Sequence, residues 1–362
     1  MQDETKRIPD TSRAALDDQN VNNERYFFLI QFAHRHLDFK LAELQSILDM
    51  FELMNVCQVH PLPNDELFDS STQNIQNNKM DIVEKEDIEF PFIKGISLKS
   101  YHEKLETQKN HTKIKLDPND EIPSISGISQ DNKNENINGC YITNESINRR
   151  HAELNFRPFL ILSFPHEFPS NQQTQSHDTI LKALSRCVLI KTVIELWGCG
   201  KNIKACAQNV KNMCTNKKTK RYQLINRHCI EGNKTWKHTI YTFGSKYTRE
   251  EQNQMRSHFS FLPFTGDVKM DDPDDEYIMI REIEVDFLGS PLYPRHSHKK
   301  VVIPEHDARP PLAVYFGRIL LSGLREGKVE KYSLKKRKYL GPTSMDTELS
   351  MIMTNLGQVS FS

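Results

Sequence analysis

Apolar and polar positions in this chain switch between a period of two and a period near 3.6, and the switches mark its elements. Tyr26-Phe-Phe-Leu-Ile-Gln-Phe-Ala33 is a run of aromatic and branched residues of strand length. A turn through 34–38 follows. Leu41, Leu44, Ile47, Leu48 and Phe51 then recur at three- and four-residue steps, which predicts a helix with one apolar face. Asn55–His60 reads as the returning strand. The same phrase repeats later, with a strand at Arg157–Phe164, a helix at Asp178–Cys187 and a strand at Val188–Gly198. Two strand–helix–strand units predict an α+β, ferredoxin-like sheet with both helices on one face.

Between the repeats the pattern fails. Residues 61–154 are thick with Asn, Asp, Glu, Ser and Lys and hold no sustained period, so they are predicted to be a long disordered insertion. One island inside it, Phe90–Leu98, reads as a weak strand or as a short recognition segment. Residues 1–24 are polar, carry several acids, and are expected to be disordered, neither a secretory signal nor a transit peptide. After 200 the pattern resumes. Thr235–Phe243 alternates as a strand, with Trp236, Ile240 and Phe243 as packing residues. Thr248 and Glu251 form a capping-box pair ahead of a helix, and Phe261-Leu-Pro-Phe-Thr-Gly266 ends it. Tyr277–Ile280 and Ile283–Phe287 are predicted strands. Near the end, a Gly-Pro breaker at 341–342 precedes a helix. Thr343 or Ser344 is its expected N-cap, Asp346 and Glu348 lie in its first turn, and Met345, Leu349, Ile352, Met353 and Leu356 line one face.

Charge changes the picture more than composition does. Lys+Arg and Asp+Glu balance at 48 each over 362 residues, but they are segregated. Residues 201–260 hold 13 Lys/Arg against three Asp/Glu. Lys217, Lys218, Lys220 and Arg221 are the densest point, Lys234 precedes and Lys237 lies on the following strand, and Lys335, Lys336, Arg337 and Lys338 form a second run. A clustered positive field is the footprint of a polyphosphate ligand. Arg318 and Arg325 extend the track, and a guanidinium there can clamp phosphate or pair with a carboxylate.

Other chemistry recedes. His34, His36 and Asp38, and separately His296, His298, His306 and Asp307, are clusters without the second ligand set a tetrahedral metal site needs, so no metal is expected. Seven cysteines with no Cys-x-x-Cys pair argue against a disulfide framework or a zinc ribbon. No run approaches the ~18 apolar residues of a membrane span, and a cytoplasmic location is expected. Trp197 ends an apolar strand, where an indole is core more often than a base-stacking platform.

Several phrases are more specific than physics demands: Glu195-Leu-Trp-Gly198, Leu262-Pro-Phe-x-Gly266, Tyr315-Phe-Gly-Arg318, and Tyr332-Ser, Lys335–Arg337, Gly341, Thr343-Ser-Met-Asp346, Leu349-Ser350 and Asn355. In them the chain resembles the N-terminal half of the THUMP-domain tRNA (guanine-10-N(2)) methyltransferases. The resemblance covers about 25–60 and 155–355 and skips 61–153. It implies a ferredoxin-like domain over 25–60 and 155–200, a THUMP-like RNA-binding domain over 201–312, and at 313–362 a linker helix and the start of the methyltransferase domain.

The resemblance also implies a tRNA partner and S-adenosylmethionine as donor, with Thr343, Ser344, Met345 and Asp346 touching that cofactor once a complete domain follows. The glycine-rich donor loop and the Asp-Pro-Pro-Tyr loop of these enzymes are not found in the chain, and Asp272-Pro-Asp-Asp275 does not substitute for the latter. No catalytic residue is therefore named, and the 362 residues alone are expected to bind RNA without methylating it. The small zinc-binding subunit that activates the family docks on the methyltransferase domain and is not expected here. Two alternatives stand beside this: a stand-alone THUMP adaptor assisting another RNA-modification enzyme, and a protein-interaction scaffold.

Overall fold

In a computed structural model the chain is described over residues 25–33, 36–63, 95–114, 157–166, 177–283 apart from 216, 218, 232 and 243–246, and 311–359 apart from 337, 340, 342 and 343. Eight strands form one mixed sheet in the order β3-β2-β4-β1-β5-β8-β7-β6. The strands are β1 (Arg25–Phe32), β2 (Gln58–His60), β3 (Ile96–Ser97), β4 (Phe159–Pro165), β5 (Ile190–Gly200), β6 (Trp236–Thr242), β7 (Asp275–Glu282) and β8 (Ala313–Ser322). The helices are α1 (Lys40–Met50), α2 (Leu98–Ile114), α3 (His177–Arg186), α4 (Ile203–Thr215), α5 (Lys220–Ile225), α6 (Arg249–Ser257), α7 (Leu324–Lys331) and α8 (Thr347–Leu356).

The predicted ferredoxin-like unit is present. β1 pairs antiparallel with both β4 and β5, and β2 with β4, giving the order β2-β4-β1-β5. Phe28, Ile30 and Phe32 of β1 face one way. There they share a buried core with Leu41, Leu44, Ile47 and Leu48 of α1 and Ile180, Ala183 and Leu184 of α3. Phe27 and Leu29 face the other way, into a second core. Burial on both faces explains why β1 reads as a near-continuous apolar run, interrupted by Gln31.

That second core shows how strongly the sheet curls. Phe159 of β4 and Tyr315 of β8 are three strands apart, roughly 14 Å in a flat sheet, yet their ring centroids lie 5.4 Å apart. Arg157 beside them donates to both carboxylate oxygens of Glu282 on β7, from Nε at 2.9 Å and from Nη2 at 2.6 Å, and Tyr315 donates to the same carboxylate at 2.7 Å. The curl is built into β5, where Trp197 is an extra residue between the pairs Leu196↔Gly317 and Gly198↔Phe316. Such a bulge bends a strand and increases its twist. Gly317 lets β8 close on it, since a Cβ there would stand 2.1 Å from the Glu195 carbonyl oxygen.

Three expectations need correcting. The region predicted to be disordered holds β3 and α2, and Leu98, Tyr101 and Leu105 of α2 are buried against α1. One apolar residue per turn among many charges was too sparse to register as a period. The expected linker from 313 starts as β8, which pairs with β5 and β7 in the middle of the sheet. The predicted strand at 277–280 lies within β7, which runs to Glu282, and of the predicted strand at 283–287 all but Ile283 lies outside the described residues. Last, α8 is capped by Asp346, whose side chain accepts from Glu348 N at 3.2 Å, rather than by Thr343 or Ser344.

The other predicted caps hold. Thr248 and Glu251 make both bonds of a capping box at α6. Among the described residues no helix is long and apolar enough to cross a membrane, and the six cysteines described are free.

Candidate nucleic-acid interface

The sequence-predicted cations separate into two groups, those whose charge is engaged within the protein and those whose charge faces solvent. Arg221 is the clearest of the first. It is 5% exposed, its Nη2 donates to the carbonyls of Trp197 (3.3 Å) and Leu196 (3.4 Å), and its guanidinium lies 5.1 Å from the centre of the Phe27 ring. Burial pulls its pKa down to about 10, so it stays charged at neutral pH. Within the protein this arginine braces the bulge of β5.

Arg318 takes the carboxylate alternative. Its Nε donates to Glu195 Oε2 at 3.1 Å and its Nη1 to Asp275 Oδ1 at 3.0 Å. Trp197 Nε1 donates to the same Glu195 oxygen at 3.2 Å, and the indole is fully buried beside Tyr277 and Phe316, as core. Asp275 also meets His228 Nδ1 at 3.0 Å and Lys234 Nζ at 3.5 Å. Lys234 and Arg318 are thus brought together on one carboxylate. Those contacts outweigh the cost of burial and hold the Asp275 carboxyl below the usual range. Lys237 on β6 pairs with Glu276 on β7 at 3.2 Å.

The outward group lies on α4 and the turn after it. Val210, Cys206, Ala207 and Met213 bury one side of α4 under β5 and β8, so its opposite side must face water. That side carries Lys204, Gln208 and Lys211, all exposed, and runs on to exposed Lys217. From Lys201 to Tyr222 the sequence holds no Asp or Glu, and among the described residues Lys204, Lys211 and Lys217 have no ion-pair partner. Lys204 and Lys211 were not singled out from sequence. The signal was available: their seven-residue spacing puts them on one helix face once α4 is recognised.

Lys220 is half-buried and Lys218 lies outside the described residues. In the second run Lys335, Lys336 and Lys338 are exposed, Lys336 pairs with Glu330 at 2.9 Å, and Arg337 is outside the described residues. Thr343 is also outside them. Ser344 is exposed and donates to Gly341 O at 2.9 Å, Met345 is 47% exposed, and Asp346 is engaged as the α8 cap. His34, Arg325, His296, His298, His306 and Asp307 fall on residues whose side chains are not described.

The exposed lysines of α4 and the turn after it thus form a basic surface on a stretch without acids. Residues 158–325 match the family model of the Tmrp11 THUMP N-terminal domain, which bears out the resemblance read in the sequence. The chain is 33% identical over 202 residues to the cattle tRNA (guanine(10)-N(2))-methyltransferase TRMT11, an alignment covering 56% of this chain and 36% of that protein. The human protein of the same name is 31% identical over 211 residues, covering 55% and 40%. The Dictyostelium discoideum one is 30% identical over 185 residues, covering 51% and 34%. The chain therefore spans about a third of the length of the relatives it matches.

Proposed function

We propose that this chain is the tRNA-binding, substrate-recognition portion of a tRNA (guanine-10-N(2)) methyltransferase. The observation that carries the reading is the exposed row of Lys204, Lys211 and Lys217, on a stretch without acids. An unpaired row of cations about one helical turn or two apart suits a phosphate backbone. The names of the relatives supply the kind of RNA and the reaction. Lys220, Lys335, Lys336 and Lys338 extend the surface. Lys234, Lys237, Arg221 and Arg318 hold the scaffold in place beneath it.

S-adenosylmethionine is the methyl donor in this reading. Of the residues assigned to it by resemblance, two described ones are exposed and the third caps a helix. No step of methyl transfer is assigned to these residues.

The test is tRNA binding across a salt titration. Replacing Lys204, Lys211 and Lys217 together by Ala should weaken binding and reduce the slope of log K against log salt by about 2–3, near 0.9 per lost phosphate contact. Lys237→Ala, which removes an internally paired cation, should leave the slope alone. An unchanged slope in the triple variant would overturn the assignment.

A further inference from the structure

The basic run 335–338 lies in a loop flanked by α7 and α8, and both helices are tied to one corner of the ferredoxin-like unit. Glu43 of α1 is 1% exposed. Its Oε1 accepts from Val188 N (2.8 Å) and Asn355 Nδ2 (2.7 Å), and its Oε2 accepts from Leu189 N (3.0 Å). Val188 and Leu189 form the turn from α3 into β5, so two of these bonds belong to the body and only the third to α8.

Asn355 adds bonds to the end of α3. Its Nδ2 also donates to Arg186 O at 3.3 Å, and its Oδ1 accepts from Arg186 Nε at 3.2 Å. From the other stem, Lys328 of α7 donates to Ser185 O. Ser185 and Arg186 carry carbonyls that the last turn of a helix leaves without an internal partner, and the two stems supply the missing donors. Ser46 Oγ donates to Asn355 O at 2.8 Å. At the base of the loop, Thr347 Oγ1 donates to Tyr332 O at 2.9 Å.

The loop held by these contacts has a particular surface. Lys335, Lys336 and Lys338 are exposed, Tyr332 is 52% exposed and Tyr339 80%. Cations interleaved with open aromatic rings suit unpaired nucleotides, gripping phosphate and stacking bases together. A loop free to wander would pay ordering entropy on binding, and one clamped at both stems has paid it beforehand.

Resting on the tRNA-binding reading above, we propose that Glu43 and Asn355, with Lys328, are positioning residues, a clamp that holds the 332–346 loop ready for RNA. The test compares the full chain with Asn355→Asp, which sets a second carboxylate against Glu43, and with Thr347→Val, which unties the loop base and leaves the corner intact. Each is read by hydrogen exchange over 332–356, by thermal unfolding of the body and by tRNA affinity across salt.

Both variants should lose amide protection in that segment and bind tRNA about tenfold more weakly. Their salt slope should stay at the parent value, because the same phosphates are met in the complex. A Lys335→Ala/Lys336→Ala/Lys338→Ala variant should instead lower the slope. Lost protection with parental affinity would overturn the clamp and leave the tRNA reading standing. A parent chain that does not bind tRNA at all would overturn both. If Asn355→Asp does not fold, Lys328→Met, which removes only the bond from α7 to Ser185 O, is read in the same three ways and decides.

Discussion

Arg318 of β8 lies between Glu195 of β5 and Asp275 of β7, 3.1 Å from one carboxylate and 3.0 Å from the other. The three residues are on adjacent strands, so the guanidinium fastens the central strand to both neighbours at the point where the sheet bends. It is 14% exposed and its partners 4%, and the two carboxylates raise its pKa despite burial.

Arg318→Ala would leave the buried Glu195 carboxylate without its cation and Asp275 with only Lys234 and His228. Breaking a buried pair on one side costs about 3–5 kcal/mol, so the variant should unfold at much lower urea. Arg318→Lys should recover only part of the loss, because a point charge cannot make two directed bonds to separate carboxylates. Any fall in tRNA binding should follow the unfolded fraction. A variant with parental stability and selectively weakened tRNA binding would return Arg318 to the RNA surface.

His238 gives the protein an acid-sensitive point. Its ring stands edge-on to Phe316 and Phe259, at 5.3 and 5.8 Å between centroids, and its Nε2 is buried with no partner among the described residues. Burial, with Arg256 nearby, pulls its pKa from 6.5 down to about 4. Because the folded value lies below the unfolded one, the stability this residue contributes is whole above pH 6.5 and drains away as the pH falls toward 4. The loss by pH 5 should be on the order of 1–2 kcal/mol. His238→Phe, of similar size and shape, should flatten urea-unfolding stability between pH 5 and 7 by about that amount.

The sequence was most legible where one physical signal acted alone. Thr248 and Glu251 announced their capping box because both partners are local, and α6 begins there. The α1 face was read because every third or fourth residue is apolar and packs on one core. What escaped depended on distant chain. Nothing near Arg221 foretells that two carbonyls of β5 will capture it, and in sequence it looks like its neighbours, exposed Lys217 and half-buried Lys220. Arg318 was readable only as far as a choice between phosphate and carboxylate, because its partners are 123 and 43 residues away. The end of α8 was misread for the same reason. Its buried residues include Thr347, Glu348 and Asn355, while Met353 is 56% exposed, so the face chosen by hydropathy is largely not the face that docks.

The local caps also predict modest, measurable effects. At Thr248 the hydroxyl accepts from Glu251 N at 3.2 Å, while Glu251 Oε2 accepts from Thr248 N at 2.7 Å. Thr248→Ala removes the first bond and should cost about 1 kcal/mol, read as a lower urea midpoint with an unchanged m value. Thr248→Ser keeps the acceptor and should cost little. A loss in Thr248→Ser as large as in Thr248→Ala would mean the methyl group, rather than the cap, supplies the stability.

The Leu262-Pro-Phe-Thr-Gly266 turn carries a sharper prediction, because its last residue has no room for a side chain. A Cβ on Gly266 would stand 1.9 Å from Lys234 O, a backbone atom that cannot swing away. The close approach is used. Trp236 Nε1 donates to Gly266 O at 2.8 Å, and the indole stacks on Phe264 with centroids 4.2 Å apart. Asp267 and Lys269 then bond the backbone of Trp236 at 3.0 Å each. Gly266→Ala must push this turn off the edge of β6, breaking the indole bond and the two backbone bonds together, and should destabilise the fold by several kcal/mol. Trp236→Phe keeps the stack and loses only the indole bond, at roughly 1 kcal/mol. Urea unfolding of the two variants, with Trp fluorescence following Trp236 in the first, checks the order. Equal losses would mean that the indole bond holds the turn, and that the space at Gly266 is not what the fold requires.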